Sequence, residues 1–342
     1  MKNKMVQVLL VSSVAIALPL LTHVAAAEEL PEAPWRTIFK VDESTIWLGS
    51  DDGRIAVTAD AGETWRNSHP GGRTSDLNLS QIIAFDERHA FTLSTGRGER
   101  SRLYVTRNGG FSWRRLYRGN GDETLRCFDL IPDGEAWVLG DTLLDNWHVV
   151  RSSNGNHWLS SRSGFAERAL FAEEGAQSGQ CVRYANNMWA MGTRNAETAR
   201  LIYKTRTALR FQVANTPLSA GTNAGVEAVY PLGPGHILVA GGRAGDNPSA
   251  ELFRYQAGEF SPITLPSRDE NGATGSTITQ PITQLFAWQD RIIIGNSEGV
   301  LTTTDQGENW VTLHASGIIN LSCTTTGCWA ISLNHALEQI TF

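Results

Sequence analysis

Six arginines stand in long polar stretches where side chains could act on a ligand. Arg97, Arg100 and Arg102 lie in STGRGERSR (94–102), Arg194 and Arg200 in TRNAETAR (193–200), and Arg243 in GGRAGDNPSA (241–250). A fourth stretch, PSRDENGATGSTITQ (266–280), is equally polar. Guanidinium groups offer charged hydrogen-bond donors to a partner. Glu99, Glu197 and Asp246 accompany them, so the same set also suits an ordinary solvated rim of mixed charge. Catalytic sets are harder to assemble. GNSEG (295–299) fits the G-x-S-x-G form, but a nucleophile elbow needs a helix after its serine, and Ser297 is followed by the strand-like VLTTTD. His89, His148, His157 and His236 sit singly, without ligand spacing. There is no phosphate-binding loop, no H-E-x-x-H and no dinucleotide fingerprint, so neither a metal nor a cofactor is implied.

These residues must be positioned by repeated strands. The phrase TADAGETWRN (58–67) returns as TTDQGENWVT (303–312), with weaker copies in TRNGGFSW (106–113) and RSSNGNHW (151–158). In the four copies the aspartate position is held by Asp60, Asn108, Ser153 and Asp305. The glycine is Gly62, Gly110, Gly155 and Gly307, and the tryptophan Trp65, Trp113, Trp158 and Trp310. Two decayed copies end at Phe211 and Phe260. The chemistry is that of a turn. The aspartate accepts local backbone N–H groups, the glycine takes a positive φ, and the tryptophan buries its ring against a neighbouring sheet.

Upstream of each copy runs a short apolar segment, centred on Trp47, Phe91, Trp137, Trp189, Leu238, Ile292 and Trp329. Each follows another apolar run and a polar turn. The unit reads strand, turn, strand, loop, strand, turn, strand, and recurs about every 45 residues, the length of one four-stranded propeller blade. The sequence therefore predicts an all-β, seven-bladed β-propeller of antiparallel sheets, with one domain over 28–342. The last unit lacks a fourth strand, which the segment 28–36 is expected to supply, closing the ring.

The start of the chain has the three parts of a secretory signal: Lys2 and Lys4, an apolar stretch, and Ala25-Ala26-Ala27. The expectation is cleavage after residue 27 and a periplasmic or secreted protein, with no membrane insertion after cleavage. Loss of the two lysines takes the net charge from −6 to −8, which argues against nucleic-acid binding. In an oxidising compartment the four cysteines suggest disulfides. Cys323 and Cys328 bracket a hairpin tip, and Cys127 and Cys181 occupy similar places in successive units.

The repeated phrase resembles the Asp-box, or BNR repeat, S/T-x-D-x-G-x-x-W. In that superfamily the boxes lie on the periphery of β-propellers, away from the ligand. The wording FDERHAFTLS…LYVTRNGGFSW and GEAWVLGD…VVRSSNGNHW is similar to the photosystem II stability/assembly factor-like family found in bacteria. That resemblance implies a non-enzymatic assembly scaffold that binds another protein, here the exposed part of a membrane complex. Sialidases also carry Asp-boxes and imply the rival, a glycoside hydrolase. Their N-terminal F/Y-R-I-P motif is not matched by PWRTIF with Arg36, and no Tyr–Glu–Arg set can be assigned, although Tyr230 could point inward. A third reading is a lectin-like carbohydrate binder using Trp147 or Trp288 as an aromatic platform.

Overall fold

The computed structural model describes residues 29–70, 77–176, 179–266 and 277–342. Among these the regular secondary structure is strand, apart from one 3-10 turn at Gly98–Arg100. Strands follow one another as antiparallel meanders over 35–68, 78–118, 125–161, 182–215, 224–262, 284–314 and 318–340. All have four strands except the last, which has three, and the short strand Glu174–Gly175 adds a ninth to the sheet that joins the fourth and fifth. The fourth and fifth meanders touch edge to edge through the single pair Arg194 and Gly225. No helix among the described residues is long and apolar enough to cross a membrane. The expected signal over 1–27 lies outside the described residues, as does 267–276 of the fourth polar stretch.

The second strands carry the core: Ile46–Ser50 and Arg291–Asn296 are buried along nearly their whole length. Clusters of apolar side chains form between meanders rather than within them. One such cluster joins Cys127, Trp137, Leu139 and Val149 of the third meander to Trp189, Met191, Ile202 and Phe211 of the fourth. A strand buried on both faces reads as a continuous apolar run, which is why no clean alternation marks these segments.

The first strand of each meander presents an unpaired backbone edge, which needs hydrogen-bond partners. Polar side chains from the neighbouring first strand supply them. Thr37 Oγ1 accepts from the N–H of Ile82, Gln81 Oε1 from Phe128, and Asp129 Oδ2 from Tyr184. At the fifth meander the pattern changes: Gln180, just before the fourth meander's first strand, accepts from Val229 of the fifth through its carbonyl and from Leu285 of the sixth through Oε1, and Gln284 Oε1 then accepts from Leu321. The round is completed by Asn320 Oδ1 and Ser322 Oγ, which accept from Ile38 and Lys40. The first strands thus surround a common centre, and the last meander docks directly on the first.

The repeated phrases form the turns between third and fourth strands. Thr58 Oγ1 accepts from Gly62 N–H at 3.0 Å, and Asp60 Oδ1 accepts from Thr64 N–H at 2.9 Å. Thr303 and Asp305 repeat this with Gly307 and Asn309, and Thr106 and Asn108 with Gly110 and Ser112. All four glycines have positive φ, from +69° to +101°. Trp65 and Trp158 are buried, and Trp113 and Trp310 are half-buried. Phe211, at the end of a decayed copy, is buried edge-on against Trp137, with ring centroids 4.9 Å apart.

Two expectations are corrected. Ser153 does not hold the aspartate's place: it is exposed, and Asn154 Oδ1 accepts from Asn156 and His157 while Ser152 Oγ takes the N–H of Gly155. This turn is one residue tighter between hydroxyl and glycine than the others, so counting back from Trp158 misses the capping residues. Nor does 28–36 add a strand to the last meander. Trp35 begins the first strand of the first meander, pairing with Ser50, because the short run before Ile38 leaves no length for a separate strand. Leu30 and Ala33 instead pack against a cluster that includes Leu337 and Ile331.

Both expected cysteine pairs are joined. Cys323–Cys328 spans the hairpin of the last meander, with Cα atoms 4.1 Å apart. Cys127–Cys181 links the first strand of the third meander to the residue preceding the first strand of the fourth, at 5.9 Å.

Candidate functional site at the mouth of the central channel

In a meander the one–two and three–four turns share one end, and the two–three loops and inter-meander connections share the other. On this long-loop face a cavity of about 330 Å³ opens over the centre. Arg36, Ser80, Glu227 and Asn320 line it from first strands, Arg194 from the end of a second strand and Ser297 from a two–three loop. A smaller cavity of about 70 Å³ lies among Gln81, Gln180, Asn320 and their neighbours, where the amide side chains are engaged in the edge bonds described above.

Charge is concentrated on one side of the mouth. Arg194 Nη1 meets Glu227 Oε1 at 3.0 Å, both largely buried, and Arg194 Nε is buried without a hydrogen-bond partner among the described residues. Burial pushes the Glu227 carboxyl up to about 7, against the pull of Arg194. Beside it Arg126 holds Asp141 with two bonds of 2.6 and 2.8 Å and Glu174 at 2.9 Å, and Asn195 donates to Glu174. Burial raises Asp141 to about 6 despite Arg126. Arg36, half-buried in the same cavity, has no side-chain hydrogen bond among the described residues. The mouth is therefore a partly desolvated surface, with the Arg36 guanidinium uncommitted among the described residues, beside two carboxyls, Glu227 and Asp141, whose pKa burial raises.

These shifts have a sign that can be measured. A carboxyl raised from 4.5 to about 7 by folding binds its proton more tightly in the native state. Its contribution is complete below about pH 4.5 and is lost as pH rises through about 7. Asp141 acts in the same direction. Urea unfolding at pH 5 and at pH 8 is expected to show a decline of up to about 3 kcal/mol from Glu227. Glu227→Gln should flatten that slope, whatever constant penalty follows from leaving Arg194 without its counter-ion. An unchanged slope would show that Glu227 is ionised in the native state throughout.

The structure separates the six arginines. Arg97 and Arg100 are exposed; Arg97 pairs with Asp122, which is also exposed. Arg102 and Arg243 are half-buried on the same face, the latter donating to the carbonyl of Ala220 at 2.6 Å. Arg194 belongs to the mouth. Arg200 is not on the rim: its side chain is 2% exposed and bound to Glu173, which is wholly buried. Trp147 is 1% exposed and packs under the Arg200 guanidinium at 4.7 Å, so it offers no platform. Tyr230 stands three residues beyond Glu227 in the same strand and lines a different cavity, so the two do not meet at the mouth. Sequence reasoning missed Glu227, Arg126, Asp141 and Glu174. Each stands near the end of a first or second strand or in a connection, with no local motif.

No family model matches the chain. The solved structures it resembles cover almost all of it. The structure described as YCF48 bound to D1 peptide aligns with a TM-score of 0.57 at 12% identity, over 93% of this chain and 100% of that one. YCF48 from Cyanidioschyzon merolae aligns with a TM-score of 0.60 at 13% identity, over 92% and 99%. The WD40 β-propeller domain of Doa1 aligns with a TM-score of 0.57 at 13% identity, over 92% and 95%. The fold is a β-propeller. Sequence similarity to curated relatives runs over short segments. One of 77 residues is 36% identical to an oligoxyloglucan-reducing end-specific xyloglucanase of Emericella nidulans, covering 22% of this chain and 9% of that enzyme. Another of 62 residues is 37% identical to the photosystem II assembly lipoprotein Ycf48 of a Synechococcus, covering 18% of this chain and 17% of that protein. The matches thus span less than a fifth of the length of either relative.

Proposed function

We propose that this chain is an exported seven-bladed propeller with Asp-box turns that acts as a non-enzymatic, protein-binding scaffold or assembly factor. Its partner docks on the long-loop face, over the central mouth and the Arg97–Arg100 rim, and is the exposed part of a membrane complex. The observation that carries this reading is the whole-length likeness to YCF48 propellers, one of them held with a peptide. The Arg36 guanidinium, which lines the mouth without a side-chain hydrogen bond among the described residues, supports it. Residues 1–27 serve as the signal, 28–342 form the single domain, and no cofactor is required.

The test is affinity capture from native cells. Ala at Arg36, Arg97 and Arg100 should weaken capture at least tenfold while the melting temperature stays nearly unchanged, since exposed or singly held surface charges contribute about 0–1 kcal/mol. Arg194 is left out because its ion pair with Glu227 is largely buried. Unchanged capture would remove the arginine face from the reading. A glycoside hydrolase is the second reading, favoured by the segment shared with the xyloglucanase and by the raised carboxyl of Glu227. Turnover on a glycoside panel that is abolished by Glu227→Gln would establish it in place of the scaffold.

A further inference from the structure

We propose that a groove on the opposite, short-turn face, between the fifth and sixth meanders, binds a neutral oligosaccharide. The groove has a volume of about 460 Å³ and is walled by the half-buried rings of Tyr230 and Trp288. Polar groups converge on it from both meanders: His236 and Arg254 from the fifth, Asp290 and Gln306 from the sixth. Two of these groups are incompletely satisfied. Among the described residues His236 Nε2 and Arg254 Nε are buried with no hydrogen-bond partner, and a buried polar atom left unpaired costs free energy.

The chemistry of the ligand follows from this wall. Aromatic faces beside a few fixed polar groups suit a molecule that is apolar on one side and carries hydroxyls at its edge. A pyranose ring has that form. Its C–H face stacks on an indole or phenol, and its hydroxyls both donate and accept. The groove can answer both: Arg254 donates, Asp290 accepts, and an imidazole does either according to its tautomer. Arg254 is oriented by Gln306 Oε1, 2.9 Å from its Nη1, so the donor fork is set before a ligand arrives. The guanidinium and the Asp290 carboxylate offset one another, which disfavours a polyanion. Burial and the Arg254 charge lower the His236 pKa, so the imidazole adds no positive charge near neutral pH.

The site lies away from the long-loop face, so its test is independent of the scaffold reading. Cellotetraose, xylotetraose and chitotetraose would be titrated into the full-length mature protein, followed by tryptophan fluorescence and isothermal calorimetry. At least one is expected to bind with a Kd at or below about 1 mM, a binding energy of about 4 kcal/mol. Arg254→Gln and Trp288→Ala should each weaken it at least tenfold. Trp288 also packs near Phe342, with ring centroids 5.8 Å apart, so Arg254→Gln, checked for an unchanged melting temperature, is the deciding variant if Trp288→Ala unfolds. No binding of any of the three sugars up to about 10 mM, or binding undiminished in Arg254→Gln, would overturn the proposal. Loss of sugar binding in Arg254→Gln with partner capture intact would support it and leave the long-loop face to its own test.

Discussion

Replacing Arg200 with Ala is expected to remove about 3–5 kcal/mol of folding stability. The reason is the carboxylate it leaves behind. Glu173 is wholly buried, and Arg200 meets both of its oxygens, Nε at 2.9 Å and Nη2 at 2.5 Å. Thr193 and the N–H of Leu170 also donate to that carboxylate, but neither carries charge. The guanidinium holds the connection between third and fourth meanders as well, donating to the carbonyl of Arg168 and to Glu167, and it covers the ring of Trp147. Removing both charges together is a different case. A buried ion pair replaced by apolar groups of similar volume is often near neutral in stability, so Arg200→Met with Glu173→Leu should recover much of the loss. Urea denaturation of both variants measures this, and hydrogen exchange over 162–173 reports the loosened connection. A loss below about 1 kcal/mol for Arg200→Ala would place it with ordinary exposed pairs.

Arg200 also shows where the sequence stops being informative. In TRNAETAR it stands beside Arg194 and Glu197 and looks like any loop cation. Its partner Glu173 comes from a connection with no repeat signature, so the pairing exists only once the meanders are stacked. Trp147 was opaque for the same reason: an aromatic in a two–three loop reads as exposed until Phe165, from that connection, is found against it at 5.0 Å. What repeats was legible. Asp60, Gly62 and Trp65 announce a turn because each does a local task that depends on spacing alone, and the bonds of Thr58, Asp60 and Gly62 follow that spacing. A change of one residue within the third turn was enough to shift the tasks to Ser152 and Asn154. The mouth was only partly legible. Arg194 was visible as a charged residue in a long loop, whereas Glu227 and Ser80 lie within first strands, and nothing local distinguishes a strand residue at a channel mouth from one in a sheet interior.

The closure of the ring gives the second large effect. A strand lent by the N-terminal segment would have tied the ends of the chain together by a backbone ladder. Here the last meander takes all three strands from 318–340, and side chains must do the tying. Lys40 is the most heavily engaged. Its N–H donates to Ser322 Oγ at 2.8 Å, and its buried Nζ reaches Thr324 Oγ1 at 3.0 Å, Gly327 O at 3.3 Å and Glu43 Oε1 at 2.8 Å. Lys40→Met keeps the stem and the backbone bond while deleting those three contacts and a fourth, to Thr326 Oγ1 at 3.3 Å. The Thr324 hydroxyl keeps its bond to Thr326, but of its side-chain donors the buried carbonyl of Gly327 is left with only the Thr324 hydroxyl at 3.4 Å, and an under-paired buried group costs about 1–3 kcal/mol. The expected loss is therefore about 1–3 kcal/mol, and its distribution matters more than its size. Blades have no separate cores and rely on their neighbours, so weakening this one seam should raise hydrogen exchange in 35–40 and in 318–324 together. The seam between third and fourth meanders, held by Cys127–Cys181, should keep its protection. Faster exchange confined to the turn at 41–45 would mean that Asn320, Ser322 and apolar packing close the ring without the lysine.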